Sequence, residues 1–396
     1  MLLADLPEEV RAHAARAESD VSEARRNELK RLVDDTLLDL EAARRKISLH
    51  DLWEAEVLHK TPAVSEADAR AFFEDARGWL GQASFESVRA SMTSLAQAKK
   101  REAREAEFVR ELSAQFPVAM KASASAEGEP DQVLATAGDV RITRASARWR
   151  LDAAAFVARS DLWREQYAAA DKLANERLRK ADAVRRSDPA AILKPVDRAE
   201  EQRLREGHQV KILIAPPAPP AVVLDLEGAA SRGRDDAAVT VVEFGDFQCP
   251  PCGRLWKIVE EALQPYGDKV RYVFHNSPLA FHENAQKAAE AAKAAQAQGR
   301  FFEYAELLYR NQRSLDLASL KRYAAGLRLD TSRFSRELDG GRYTADVLLE
   351  RRLAERVAAR GTPTFFVNGV LLSWESYSVE GFRAAIDAAF ARAGAK

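Results

Sequence analysis

The chain has 396 residues, more than one compact core accommodates, so two or three domains are expected. Hydrophobic residues make up 46% and charged residues 31%, with a formal net charge of −1. That balance supports packed cores and gives no global reason to expect nucleic acid or an anionic membrane as partner. No run approaches the ~18 apolar residues of a membrane span.

Residues 1–125 read as a helical unit. Leu29, Leu32, Val33, Leu37 and Leu40 form a stripe at helical spacing. Ser65-Glu66-Ala67-Asp68 is a capping-box start ahead of Phe72 and Phe73. A long charged helix is expected from about Phe85 to Leu112. Ala122 to Asp131 is small, polar and rich in helix breakers, which marks a linker. A second, shorter unit is expected over 126–220. It holds a strand pair around Gly138-Asp139, helices from Thr143 to Val184, a strand over Val210–Ile214, and a stiff proline-rich connector at 216–220.

The two units align at a constant offset. Leu32 falls over Leu173, Leu37 over Leu178, Ala42 over Ala183 and Arg44-Arg45 over Arg185-Arg186. This reads as a duplication; the alternative is chance agreement between two amphipathic helices rich in Ala, Arg and Leu. In a duplication, the strand that leads into the second long helix has its counterpart just before Leu2. The native chain is then expected to begin upstream of Met1, with room there for a signal segment, since Met1-Leu2-Leu3-Ala4-Asp5 is too short and acidic to be one. The charge runs Lys99-Lys100-Arg101-Glu102 and Arg198–Arg205 read as solvated helix faces.

A linker is expected over 221–238, and the pattern changes at Val239. Val239–Phe244 is a β-branched run, hence a buried strand. A helix is expected from the cysteines to Leu263, then a strand over Lys269–Phe274. Helical sequence follows over about 283–358, broken near Gly299, Ser314, Gly326 and Gly340-Gly341. Thr364–Val367 and Val370–Leu372 flank Asn368-Gly369, a strong hairpin signal, and a last helix spans about Val379 to Arg392.

The chain's two cysteines, Cys249 and Cys252, are separated by Pro250 and Pro251. A structural disulfide closing so short a loop stabilises little. A zinc site needs four ligands, and the six histidines are scattered with no second pair at ligand spacing. No metal or bound cofactor is therefore expected, and redox chemistry is the economical reading. Cys249, between a strand and a helix, gains thiolate stabilisation from the free N–H groups and dipole of the helix N-terminus. It is expected to be the attacker, and Cys252 the buried resolver. Neither proline donates an N–H to the thiolate and no histidine stands between the cysteines, which predicts a less stabilised thiolate than in the most oxidising dithiols of this kind.

The segment Glu243 to Cys252 resembles the active-site segment of the DsbA family. So do Ser277-Pro278-Leu279 with His282 and Ala285, then Gln298–Phe302, then Gly361-Thr362-Pro363-Thr364-Phe365-Phe366-Val367-Asn368-Gly369. The resemblance covers about 236–396. It implies an α/β thioredoxin fold over 239–396 with a helical insertion, after a mostly α N-terminal region. It implies that Pro363 is a cis-proline, that Thr362 offers backbone hydrogen bonds to a client alongside Pro250 and Pro251, and that Glu243 is a buried acid carrying the Cys252 proton. The alternative for Glu243 is a strand-edge residue in water. His275 stands where relatives often carry a basic residue, with a surface or satisfied side chain as the alternative; His282 reads as a helix-start packing residue. Pro250-Pro251 departs from the commoner Pro-His, so the direction of electron flow does not carry over.

The N-terminal units are similar to the helical N-terminal domain of SurA-type periplasmic folding factors, through Leu32–Ile47, the Pro62–Asp68 helix start and Val210–Pro220. This implies a client-holding or docking module; a spacer or dimerisation arm is the alternative. The whole reads as a periplasmic or envelope oxidoreductase that exchanges disulfides with folding clients as an oxidase, reset by a separate redox partner. A reductase or isomerase of the same fold, or a client-binding protein with secondary redox activity, are the competitors.

Overall fold

The computed structural model describes residues 7–121, 128–185, 198–207, 212 and 214–394. The strand expected over Val210–Ile214, most of the linker expected from Ala122, and the opening five residues lie largely or wholly outside them.

Helix α1 (Glu8–Arg45) ends at Lys46, whose left-handed backbone (φ 58°) turns the chain. Helix α2 (Leu49–Trp53), capped by Ser48, runs straight into a π-helical turn over Glu54–Leu58. The Ser65/Asp68 capping box forms as expected and starts α3 (Glu66–Leu80); α4 (Phe85–Gln115) follows. Three short strands, β1 (Val118–Met120), β2 (Val133–Ala137) and β3 (Val140–Thr143), form an antiparallel meander with its β2–β3 turn at Gly138-Asp139. The second unit's long helical stretch is one helix, α5 (Arg144–Arg185), and α6 (Arg198–Gly207) follows.

One apolar core holds this region together. Leu29, Val33 and Leu37 of α1 pack with Phe108 and Leu112 of α4, Leu134 and Ala137 of β2, Ile142 of β3 and Leu151 of α5. Residues 1–125 and 126–220 are thus distinguishable in sequence but share a core. The two helices aligned as a repeat, α1 and α5, are both long and pack against each other.

The C-terminal half is a thioredoxin fold with a helical insertion. It contains β4 (Ala230–Arg232), β5 (Val239–Gly245), α7 (Pro250–Leu263) and β6 (Val270–Asn276), followed by the insertion: α8 (Ala285–Gln296), α9 (Phe301–Arg310), α10 (Leu317–Gly326), α11 (Thr331–Asp339) and α12 (Thr344–Arg356). β7 (Thr364–Val367), β8 (Val370–Leu371) and α13 (Val379–Gly394) close it. The sheet order is β4-β6-β5-β7-β8, with β5 and β6 parallel and the other pairings antiparallel. The segment 221–238, expected as a linker, is corrected here: it contributes edge strand β4, bridges Ala221 to Val370, and buries Val222. Three residues of mixed polarity carry no periodic signal, so this strand exists by pairing with β6 alone.

Alternation along the central strands separates two faces. Val239 and Val241, with Tyr272, Phe274, Phe365 and Val367, join the core beneath α7 and the insertion helices α8 to α11. Val242, Phe244, Val273 and Phe366 face the other way and pack with Ala354 of α12 and Ala153 of α5. The N-terminal region therefore helps to cover one face of the sheet.

Candidate active site

Strand β5 delivers the site. After Gly245 the chain leaves the sheet through Asp246-Phe247-Gln248 and enters α7 with Cys249 at the N-cap and Pro250 and Pro251 in the first turn. Proline suits that turn because its missing N–H would be unpaired there in any case. Pro250 is exposed and Pro251 half-buried. A side chain at Gly245 would meet the Phe274 ring at 2.5 Å, so the strand exit requires glycine. Phe247 then stacks on Phe274 with ring centroids 5.3 Å apart, which anchors the turn from below.

The cysteines stand as two free thiols, Cys249 4% and Cys252 0% exposed. The Thr362–Pro363 peptide is cis, and the Cys249 thiol donates to the Thr362 carbonyl at 3.2 Å. The cis-proline loop and the nucleophile are thus in contact across 113 residues of sequence. Hydrogen bonding from Cys252 lowers the Cys249 pKa to about 6, against the opposing effect of burial and with help from Thr362 and the Cys252 backbone. Burial pushes Cys252 well above the ordinary thiol value, and its contact with Cys249 and the charge of Glu243 act in the same direction. One thiol is poised to ionise and the other to hold its proton.

Glu243 is 1% exposed, in the central strand on the cysteine side of the sheet. The reading of it as a strand-edge residue in water is thereby excluded. Burial raises its pKa to about 8, partly offset by the hydroxyl of Tyr272, which donates to its carboxylate. Glu243 therefore carries a proton at neutral pH, in the neighbourhood of the Cys252 thiol.

His275 pairs with Phe244 across β5–β6, on the face away from the cysteines, and stacks on that ring at 5.1 Å. It is 1% exposed, and burial pushes its pKa down. It is neither a surface residue nor part of the dithiol site. His282 does more than open a helix: its Nδ1 lies 2.8 Å from the buried carboxylate of Asp246.

Three neighbours carry little or no sequence signal. Asp246 also accepts from the backbone N–H groups of Gln248 at 2.7 Å and Leu279 at 2.8 Å. Gln312, from the turn after α9, donates to the carbonyls of Phe247 at 2.9 Å and Cys249 at 2.8 Å. Tyr272 reaches Glu243 from the next strand. Only Asp246, in a Gly-Asp pair at the end of a strand run, was open to recognition as a turn residue.

Residues 226–388 match the family model described as Thioredoxin. A Na(+)/H(+) antiporter NhaA 3 from Salinispora tropica is 44% identical over 163 residues, 41% of this chain and 25% of that protein. The chain thus spans about a quarter of the length of this curated relative. Among solved structures, oxidised BdbD from Bacillus subtilis is 23% identical, with 44% of this chain and all (100%) of that one covered at a TM-score of 0.40. A thioredoxin-like oxidoreductase from Silicibacter pomeroyi is 28% identical, with 43% of this chain and 94% of that one covered at a TM-score of 0.37. Strand order, cysteine pair, cis-proline loop and family match agree that the C-terminal part of this chain, over residues 226–388, is a thioredoxin-like domain.

Proposed function

We propose that this protein is a thiol–disulfide oxidoreductase that passes disulfides to folding protein clients, acting as an oxidase. The observation that carries the reading is the split between the two thiols, with Cys249 lowered to about 6 at a helix N-cap and Cys252 raised in the core. In the oxidised pair, a client thiolate attacks Cys249 Sγ and the Cys249–Cys252 bond breaks, leaving the electron pair on Cys252, which takes up a proton. A second client thiolate attacks the client sulfur of the mixed disulfide, and Cys249 leaves as a thiolate. The client loses two electrons and the pair gains them, so a separate redox partner must reoxidise it. A stabilised Cys249 thiolate is a good leaving group, which favours this direction over reduction.

Glu243, protonated at neutral pH, gives a proton to the leaving Cys252 thiolate and takes it back on reoxidation, and the Thr362 carbonyl, held by Cys249 in the resting dithiol, becomes available to an extended client. Oxidising chemistry of this kind suits a periplasmic or envelope location. Among the described residues, no helix is long and apolar enough to cross a membrane. The N-terminal helical region, read as SurA-like from its sequence alone, would hold or dock clients.

The test is oxidative refolding of a reduced, unfolded client with stoichiometric oxidised protein. Client disulfides should appear as the Cys249–Cys252 pair becomes reduced, and Cys249→Ser should abolish both. No transfer to the reduced client, with the dithiol form instead cleaving the disulfides of an oxidised client, would replace the oxidase reading with a reductase. Aggregation suppression that survives intact in a variant with both cysteines changed to serine, without any disulfide transfer by the parent, would favour the holding reading.

A further inference from the structure

Asp246 and His282 sit on the two loops that border Cys249, one leaving β5 and the other leaving β6. Asp246 is 2% exposed and tied to Cys249 by its own backbone, whose carbonyl accepts the Cys249 N–H at 3.1 Å. Its carboxylate takes two backbone N–H groups and His282 Nδ1. The His282 side chain is 18% exposed and Phe281 packs edge-on against it with ring centroids 4.6 Å apart. A buried carboxylate three positions before a nucleophilic sulfur opposes its ionisation. The other groups facing the sulfur are Cys252 on α7, Glu243 beneath it on β5, and the Thr362 carbonyl.

We propose that His282 is a positioning residue for the dithiol: as an imidazolium held by Asp246, it offsets that carboxylate's charge at Cys249 and so sets the reduction potential from outside the Pro250-Pro251 dipeptide. The dipeptide itself offers no charge and no N–H. The electrostatics agree in direction. The hydrogen bond to Asp246 raises the His282 pKa above 6.5, and the nearby Cys249 charge raises it further, while burial and the charge of Asp246 both act to raise that of Cys249. By linkage, the thiolate stabilises the imidazolium as much as the imidazolium stabilises the thiolate.

The test uses the full chain. His282→Gln keeps a donor for Asp246 and removes the charge; His282→Lys returns a charge. Cys249 ionisation is read from thiolate ultraviolet absorbance against pH, and the potential from equilibration with glutathione. His282→Gln should weaken Cys249 ionisation about tenfold and move the glutathione equilibrium about tenfold toward the disulfide, roughly 30 mV more reducing; His282→Lys should recover most of both. Unchanged ionisation in His282→Gln overturns the proposal. A measurement without any variant guards against misfolding. NMR titration of His282 in the unaltered protein should give a higher pKa in the dithiol than in the disulfide form, and equal values overturn it. The inference rests on the redox reading of the pair, but both readouts are made without a client. A protein that oxidises no client yet shows these shifts would lose the proposed function and keep this inference.

Discussion

At the residue scale, Glu243 is the most informative side chain after the cysteines. Its sequence position suggests a buried acid by resemblance alone; its partner, Tyr272, comes from the neighbouring strand, and strand register cannot be read from one strand's residues. Because burial raises the Glu243 pKa from 4.5 to about 8, the folded state holds a proton there that the unfolded state has released. Stability from this group is fully present below about pH 4.5 and is lost as pH rises through 8. Glu243→Gln should therefore gain stability relative to the parent across that window, on the order of 2–4 kcal/mol, as measured by denaturant unfolding at several pH values. The same variant should slow formation of the mixed disulfide from the oxidised pair by ~10²-fold, because Cys252, leaving as a thiolate, loses its proton donor. His275 has the opposite sign. Burial lowers its pKa from 6.5, so its contribution is present above pH 6.5 and is lost as pH falls. His275→Phe should remove that loss while keeping the stack on Phe244, seen as a parent-minus-variant difference that opens only below pH 6.5.

At the element scale, most of the thioredoxin domain was legible. The β-branched run of β5, the Asn368-Gly369 hairpin and the four breaks in the insertion all carry local chemistry, and each appears where the sequence puts it. Strand β4 was not legible because Ala230-Ser231-Arg232 has no period, and β6 alone supplies its hydrogen bonds. The insertion's connection to the site was equally hidden. Gln312 lies in a turn, and nothing in its neighbours announces that it bridges Phe247 and Cys249. Space for it is kept by Gly253, where an added Cβ would lie 2.5 Å from the Gln312 side-chain oxygen. Gln312→Ala leaves two carbonyls without this donor and should cost about 1–3 kcal/mol in thermal or denaturant unfolding. Gly253→Ala should cost a similar amount by displacing the same side chain. The double variant should cost clearly less than the sum, since the clash disappears once Gln312 is truncated; strict additivity would mean that the two do not act through one contact.

At the scale of the whole molecule, the sequence divides the chain into units, whereas the structure joins them through a buried ion cluster that no local pattern encodes. Asp35 of α1 is 6% exposed and meets Arg150 of α5 at 2.6 Å and Arg356 of α12 at 2.7 Å, with Arg352 of α12 also on its carboxylate. Arg352 reaches Glu105 of α4 as well. The cluster borders a cavity of about 390 Å³ between the helical region and the thioredoxin domain, and Arg101, from a charge run expected to be a solvated face, lines it. Burial pushes the Asp35 pKa up, but the three guanidiniums outweigh it and hold the group below its ordinary 3.8. Its contribution to stability is thus present above pH 3.8 and is lost only as pH falls through the lowered value. Asp35→Ala leaves three arginines around a vanished counter-charge and should destabilise by about 3–5 kcal/mol. Because the cluster spans both halves, the loss should appear as decoupling. Calorimetry of the parent should give one cooperative transition, and of Asp35→Ala two, with the thioredoxin domain melting separately. None of these residues touches the cysteines, so the Cys249–Cys252 potential should stay at the parent value. A potential that moves with Asp35 would mean instead that the helical region reaches the dithiol through the sheet face it helps to cover, where Ala153 packs with Val242 and Phe244.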